Sequence, residues 1–254
     1  MNILVVGDSW GVGEWPDGPR SDNTVYHDYE QIEHKGLCQY LEEAGHNVIN
    51  LSKSGATNSY IRWVINFYLQ RISKNVDLVY VFLTSFATDE NIDNFNKPDM
   101  FSELLDQYET NIIFELSKIC QRYNVKINII GGSSDAFSYE NLEKDFPGVS
   151  VICQSFMNLL FYQNPNIDFP IYGLHWTKAD GGTFKDKVFE RFTDKDFCLD
   201  YLIGWKSKVD LLDTPSTLHT KYFKPDGGHP NRHGHKVLFD YLLENDRWLN
   251  KEKK

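Results

Sequence analysis

The chain has no apolar run long enough to cross a membrane, and no basic leader precedes its first strand at Asn2. The expectation is therefore a cytoplasmic protein with no membrane partner and no signal peptide; a virion-associated or lysis-released location is the alternative. The four cysteines, Cys38, Cys120, Cys153 and Cys198, are widely separated and show no paired spacing of the kind that holds a metal. Their pattern implies a reducing compartment, no metal and no cofactor. Basic side chains are also scarce, with 26 Lys and Arg against 36 Asp and Glu and a formal charge of -10. Lys221, Lys224, Arg232 and Lys236 are scattered among acids and aromatics, so nucleic acid is not an expected partner. Neither an internal repeat nor a low-complexity tract is present, which excludes a solenoid.

What the chain does have is length and aromatic side chains. Its 254 residues are enough for one domain with a substantial core. Aromatics make up 15%. Trp10, Trp15, Tyr26, Tyr29, Phe161, Tyr162, Tyr172, Trp176 and Trp205 fall outside the periodic segments. They either pack long loops onto the body or form stacking platforms around a cleft.

Residues 2–7 are a continuous apolar run ending in glycine, as in a strand buried on both faces. Leu37, Cys38, Leu41 and Ala44 have helical spacing within 34–45, and Cys38 and Cys120 look like small core residues. Val48–Leu51 is a second strand, 58–73 a helix, and Asp77–Thr84 the most apolar strand. A long helix over 101–123, a strand over Val125–Ile130, a strand over Val149–Ile152 and a last helix from Pro230-Asn231 to about Trp248 complete the pattern. Such alternation predicts parallel pairing and a three-layer αβα sandwich with a central parallel sheet. Ser9, Gly55, Thr84 and Gly131 lie just past strand ends, so one rim of that sheet collects them. Two stretches break the alternation. Residues 10–32 contain Pro and Gly, and 155–224 read as a cap or insertion within the single domain, with weak helical patterns over 183–192 and 196–209.

Three motifs stand on the shared rim. Gly7-Asp8-Ser9 ends the first strand and would present a hydroxyl and its amide, although a turn alone explains the residue types. Pro225-Asp226-Gly227-Gly228-His229-Pro230-Asn231 frees the backbone at two glycines and starts a helix at Pro230. Asp226 and His229 can then turn to one side, with one imidazole nitrogen taken by the carboxylate and the other facing Ser9. Turn and cap chemistry is again the plainer alternative. Gly55, in Leu51-Ser52-Lys53-Ser54-Gly55-Ala56-Thr57-Asn58, precedes a helix capped by Thr57 or Asn58 and could lend its amide to an oxyanion. His233 and His235 beside His229 suggest a metal, but no glutamate stands between them as in a zinc protease helix, so none is expected.

These blocks resemble the SGNH (GDSL-like) hydrolase family, which is rich in esterases and acetylesterases. The likeness covers roughly 1–152 and 225–248 and implies a flavodoxin-like sandwich with a long insertion before the last helix. It implies Ser9 as nucleophile, His229 as general base and acid, Asp226 as its orienter, and the amides of Ser9 and Gly55 as oxyanion donors. A small-molecule or glycan ester, acetyl above all, is the implied substrate. One block departs. The family carries Gly-x-Asn-Asp after the third strand, whereas here Leu83-Thr84-Ser85-Phe86-Ala87-Thr88-Asp89-Glu90-Asn91 has no Asn in that place. Thr84, Ser85 or a folded-back Asn91 are the open candidates, and losing one donor costs on the order of 3 kcal/mol in the transition state. The rival expectation is an SGNH-like scaffold that has lost catalysis and binds a glycan or a protein.

Overall fold

The computed structural model describes residues 1–13, 36–73, 75–84, 101–132, 142–156, 159, 160, 165, 222 and 229–250, with side chains in the helix over 101–123 described from residue 110 onward. In chain order these form β1 (Asn2–Gly7), α1 (Ser9–Val12), α2 (Leu37–Glu43), β2 (Asn47–Asn50), α3 (Asn58–Arg71) and β3 (Leu78–Leu83). There follow α4 (Phe101–Tyr123), β4 (Lys126–Gly131), α5 (Leu142–Asp145), β5 (Val149–Cys153) and α6 (Arg232–Asn245). The sheet runs β2-β1-β3-β4-β5 with every neighbouring pair parallel.

Alternation along the strands divides the core into two layers. Leu4 and Val6 of β1, with Val79 and Val81 of β3, pack against Ile61, Ile65 and Leu69 of α3 and Ile112, Leu116 and Ile119 of α4. Ile3 and Val5 point the other way, joining Leu78 and Tyr80 against Leu37 and Leu41 of α2 and Leu238 and Leu242 of α6. Helices thus cover both faces of the central strands, as the sequence predicts, while the edge strand β2 stays largely exposed. Each fully buried leucine of α6 contributes about 2 kcal/mol by leaving solvent. Among the described residues no helix is long and apolar enough to cross a membrane.

Several boundaries differ from the sequence reading, each for a local reason. β2 spans Asn47–Asn50, one residue earlier than predicted, yet Leu51 still donates to the Val5 carbonyl at 2.8 Å, so the ladder runs on past the strand. Residues 10–12, read as the start of a long irregular segment, join Ser9 in a helical turn because Asp8 caps it. Trp10 is a core residue, 1% exposed and edge-on to Phe156 at 5.6 Å between ring centroids. Cys120 and Cys153 are buried, whereas Cys38 is only half-buried at the edge of its layer. The other loop aromatics, Cys198, and nearly all of 10–32 and 155–224 lie outside the described residues.

The last helix ends at Asn245, not near Trp248, because Asp246 is taken into the core. Its Oδ2 accepts from the Tyr80 hydroxyl at 2.5 Å and the Asn128 carboxamide at 2.5 Å. Its Oδ1 accepts from the amides of Trp248 at 2.8 Å and Leu249 at 3.2 Å. One carboxylate therefore ties β3, β4 and the C-terminal turn together, and its loss would orphan buried donors on all three. Asp246→Ala is expected to lower stability by about 3 kcal/mol or more, measured by urea unfolding at neutral pH; a change within about 0.5 kcal/mol would contradict this role.

Candidate active site

The strand order places a switch point between β1 and β3, because the chain leaves β1 for β2 on one side and returns to β3 on the other. Gly7 pairs with Phe82 there, and a Cβ on Gly7 would lie 2.5 Å from the Phe82 Cβ. Only glycine lets the two strand ends approach so closely. The next residues on each strand, Asp8-Ser9 and Leu83-Thr84, consequently emerge side by side.

Ser9 is the first residue of α1. The Asp8 carboxylate caps this turn by accepting from the Trp10 amide at 2.9 Å. Its far end is held by Asn50, whose Nδ2 donates to the carbonyls of Gly11 at 3.0 Å and Val12 at 3.4 Å. Buried Trp10 anchors the turn from below, so the backbone carrying Ser9 is fixed on three sides. The segment after β2 is drawn to the same rim by Lys53, whose amide donates to the Gly7 carbonyl at 2.9 Å. Gly55 then turns the chain at a φ of 70°, left-handed backbone that favours glycine. Thr57, not Asn58, caps α3, accepting from the Tyr60 amide at 3.1 Å.

His229 arrives from the other end of the chain. Asn231 caps α6 by accepting from the amides of His233 at 2.9 Å and Gly234 at 3.0 Å, which sets the residues before it. The imidazole Nε2 of His229 lies 2.8 Å from the Ser9 Oγ, a contact spanning 220 positions. With the proton on Nδ1, Nε2 accepts from the serine hydroxyl, the geometry a general base needs. Asp226 and Ser85 lie outside the described residues. His235, grouped with His229 in the metal alternative, is instead buried in the core with its ring 5.4 Å from that of Phe156. Among the described residues no group of three His, Cys, Asp or Glu is placed to hold a metal ion.

Two side chains belong to the site that motif reasoning gave no role. Asp8 is 5% exposed. Burial pushes its carboxyl up to about 6, opposed by hydrogen bonds from the Trp10 amide and the Thr84 hydroxyl and by the charge of His229. Its position between a strand end and a helical turn was the available signal, since aspartate there is a preferred cap. Asn58 is buried and pairs with the backbone of Thr84, for which the sequence carries no mark. Thr84 spends its single hydroxyl proton on Asp8, so in this arrangement it is not an oxyanion donor.

No protein-family model matches the chain, and no curated protein matches it. Solved structures do. A psychrotrophic esterase, EstA from Pseudoalteromonas sp., is 15% identical over 98% of this chain and 99% of its own, with a TM-score of 0.43. A lipase from a goat rumen metagenome is 14% identical over 98% and 99%, with a TM-score of 0.45. A member of the lipolytic G-D-S-L family from Veillonella parvula is 11% identical over 96% and 97%, with a TM-score of 0.39. Likeness this distant does not carry an activity from one chain to another.

The Asp8 carboxyl holds its proton more tightly in the folded chain, where its pKa is about 6, than at the ordinary 3.8. Folding therefore loses stability as pH rises from about 4 through 6, and the loss is complete above that range. Asp8→Asn keeps an acceptor for Trp10 and Thr84 while removing the buried charge. It is expected to be more stable than the wild type at pH 8, by up to about 3 kcal/mol, with the margin shrinking toward zero near pH 4. Urea unfolding of both proteins across that range checks the sign.

Proposed function

We propose that the chain is a serine esterase that removes a small acyl group, acetyl in the leading case, from a carbohydrate or similar polar alcohol. The 2.8 Å contact between Ser9 Oγ and His229 Nε2 carries this reading. Ser9 Oγ attacks the acyl carbonyl while Nε2 takes the hydroxyl proton, giving a tetrahedral oxyanion and an imidazolium. The imidazolium returns that proton to the departing alcohol, leaving an acyl-serine. Water, deprotonated by the same nitrogen, attacks the acyl-serine and releases the acid and Ser9. In this scheme Asp226 accepts from Nδ1–H of His229 and keeps the proton there, in the role its spacing from His229 suggests.

The amides of Ser9 and Gly55 form the oxyanion hole in the proposal. The positive φ of Gly55 and the Lys53–Gly7 hydrogen bond support it, since both turn this loop toward the nucleophile. With the Thr84 hydroxyl committed to Asp8, the hole relies on backbone donors, each worth on the order of 3 kcal/mol in the transition state. The polar, short-chain choice of substrate follows the family resemblance and the aromatic residues beyond the periodic segments.

A fluorophosphonate probe tests the nucleophile. Wild type should become covalently labelled and Ser9→Ala should not; a well-folded wild type that stays unlabelled would point to a binding module instead. Against a panel of acetylated sugars and short aryl esters, His229→Ala should lower kcat/KM by about 10⁴-fold or more. Retention of wild-type rates by that variant would remove the imidazole from the mechanism.

A further inference from the structure

Where the resembled family has an asparagine after the third strand, this chain brings one from a different element. Asn58, at the start of α3 and 3% exposed, faces Thr84 across the end of β3. Its Nδ2 donates to the Thr84 carbonyl at 2.9 Å and its Oδ1 accepts from the Thr84 amide at 3.0 Å. A carboxamide that engages both backbone groups of one residue acts as a short piece of neighbouring strand. It satisfies a buried N–H and C=O just beyond the end of β3 and leaves the Thr84 side chain one orientation. Thr84 is itself 6% exposed, and its hydroxyl donates to Asp8. Asp8 in turn caps the turn that begins with Ser9.

We propose that Asn58, Thr84 and Asp8 form a buried positioning relay that holds the Ser9 turn for attack, and that the ionised Asp8 carboxylate stabilises the His229 imidazolium formed when Ser9 gives up its proton. The proposal rests on the esterase reading. Asp8 precedes the nucleophile directly, and the hydroxyl of that nucleophile lies 2.8 Å from His229 Nε2, so the imidazolium forms close to this carboxylate. Because Asp8 is itself buried, its carboxylate acts on a nascent cation through a low effective dielectric, and protonating it removes that stabilisation. Two groups must then be free of protons for turnover, the His229 imidazole and the Asp8 carboxyl.

Steady-state kinetics on a short aryl acetate test this in variants whose folding is followed by thermal unfolding. Thr84→Val and Asn58→Ala should lower kcat about 100-fold with KM within about threefold, the cost of a misplaced nucleophile. Thr84→Ser, which restores the hydroxyl, should stay within about threefold of wild type. On the acid side, log kcat/KM against pH should fall with a limiting slope of about two in wild type and about one in Asp8→Asn. Wild-type kcat in both Thr84→Val and Asn58→Ala, or an unchanged slope in Asp8→Asn, overturns the relay. Should Thr84→Val not fold, the slope decides, since Asp8→Asn keeps the cap. A folded wild type that neither hydrolyses the ester nor takes a fluorophosphonate on Ser9 overturns the esterase reading itself; an active wild type with insensitive variants overturns the relay alone.

Discussion

The parallel pairing of β1 with β3 is the constraint on which the rest of the site depends. Gly7 opposite Phe82 brings the two strand ends closer than any side chain would permit. Continuing that register sets Asp8-Ser9 beside Leu83-Thr84, so the hydroxyl of one strand end reaches the carboxylate of the other. Because the chain reverses its direction of travel across the sheet here, no crossover helix covers the rim among the described residues. The residues before α6 can then approach, and His229 meets Ser9.

Two buried aspartates illustrate how similar burial can serve different ends. Asp246 is 1% exposed and accepts from Tyr80, Asn128, Trp248 and Leu249, so its charge is spread over donors from the sheet and the C-terminal turn. It is a structural tie. Asp8 accepts from Trp10 and Thr84 and also interacts with the imidazole of His229. Its carboxyl is pushed upward by burial, which makes the ionised form a burden on folding at neutral pH. A position that lowers stability while capping the turn of a candidate nucleophile is the pattern expected where function, not folding, sets the residue.

Much of the fold was legible because its signals are local. The apolar run of β1, the helical stripe Ile61, Ile65 and Leu69, and the stretch Leu78–Leu83 each declare a period that a short window can read. Boundaries slipped where a single side chain intervened. Asp8 started a helical turn at Ser9, and Asp246 stopped α6 at Asn245. Trp10 looked like a loop aromatic because the four-residue turn around it is too short to show a period, yet it is buried against Phe156. His235 invited a metal by its neighbours in sequence, while helical geometry carried it into the core and left His229 on the rim.

The amino-acid order alone determined the alternation of strands and helices, the two-sided burial of the central strands, the positions of Ser9 and Gly55 past strand ends and that of His229 before the last helix, since periodicity, caps and turns act over a few residues. Tertiary structure decided which of those groups touch. The Ser9–His229 contact spans 220 positions and the Asn58–Thr84 pair 26, separations over which no local pattern constrains geometry. Such contacts follow from strand order and register, and the close approach at Gly7 that makes them is a property of two strands together, not of either one.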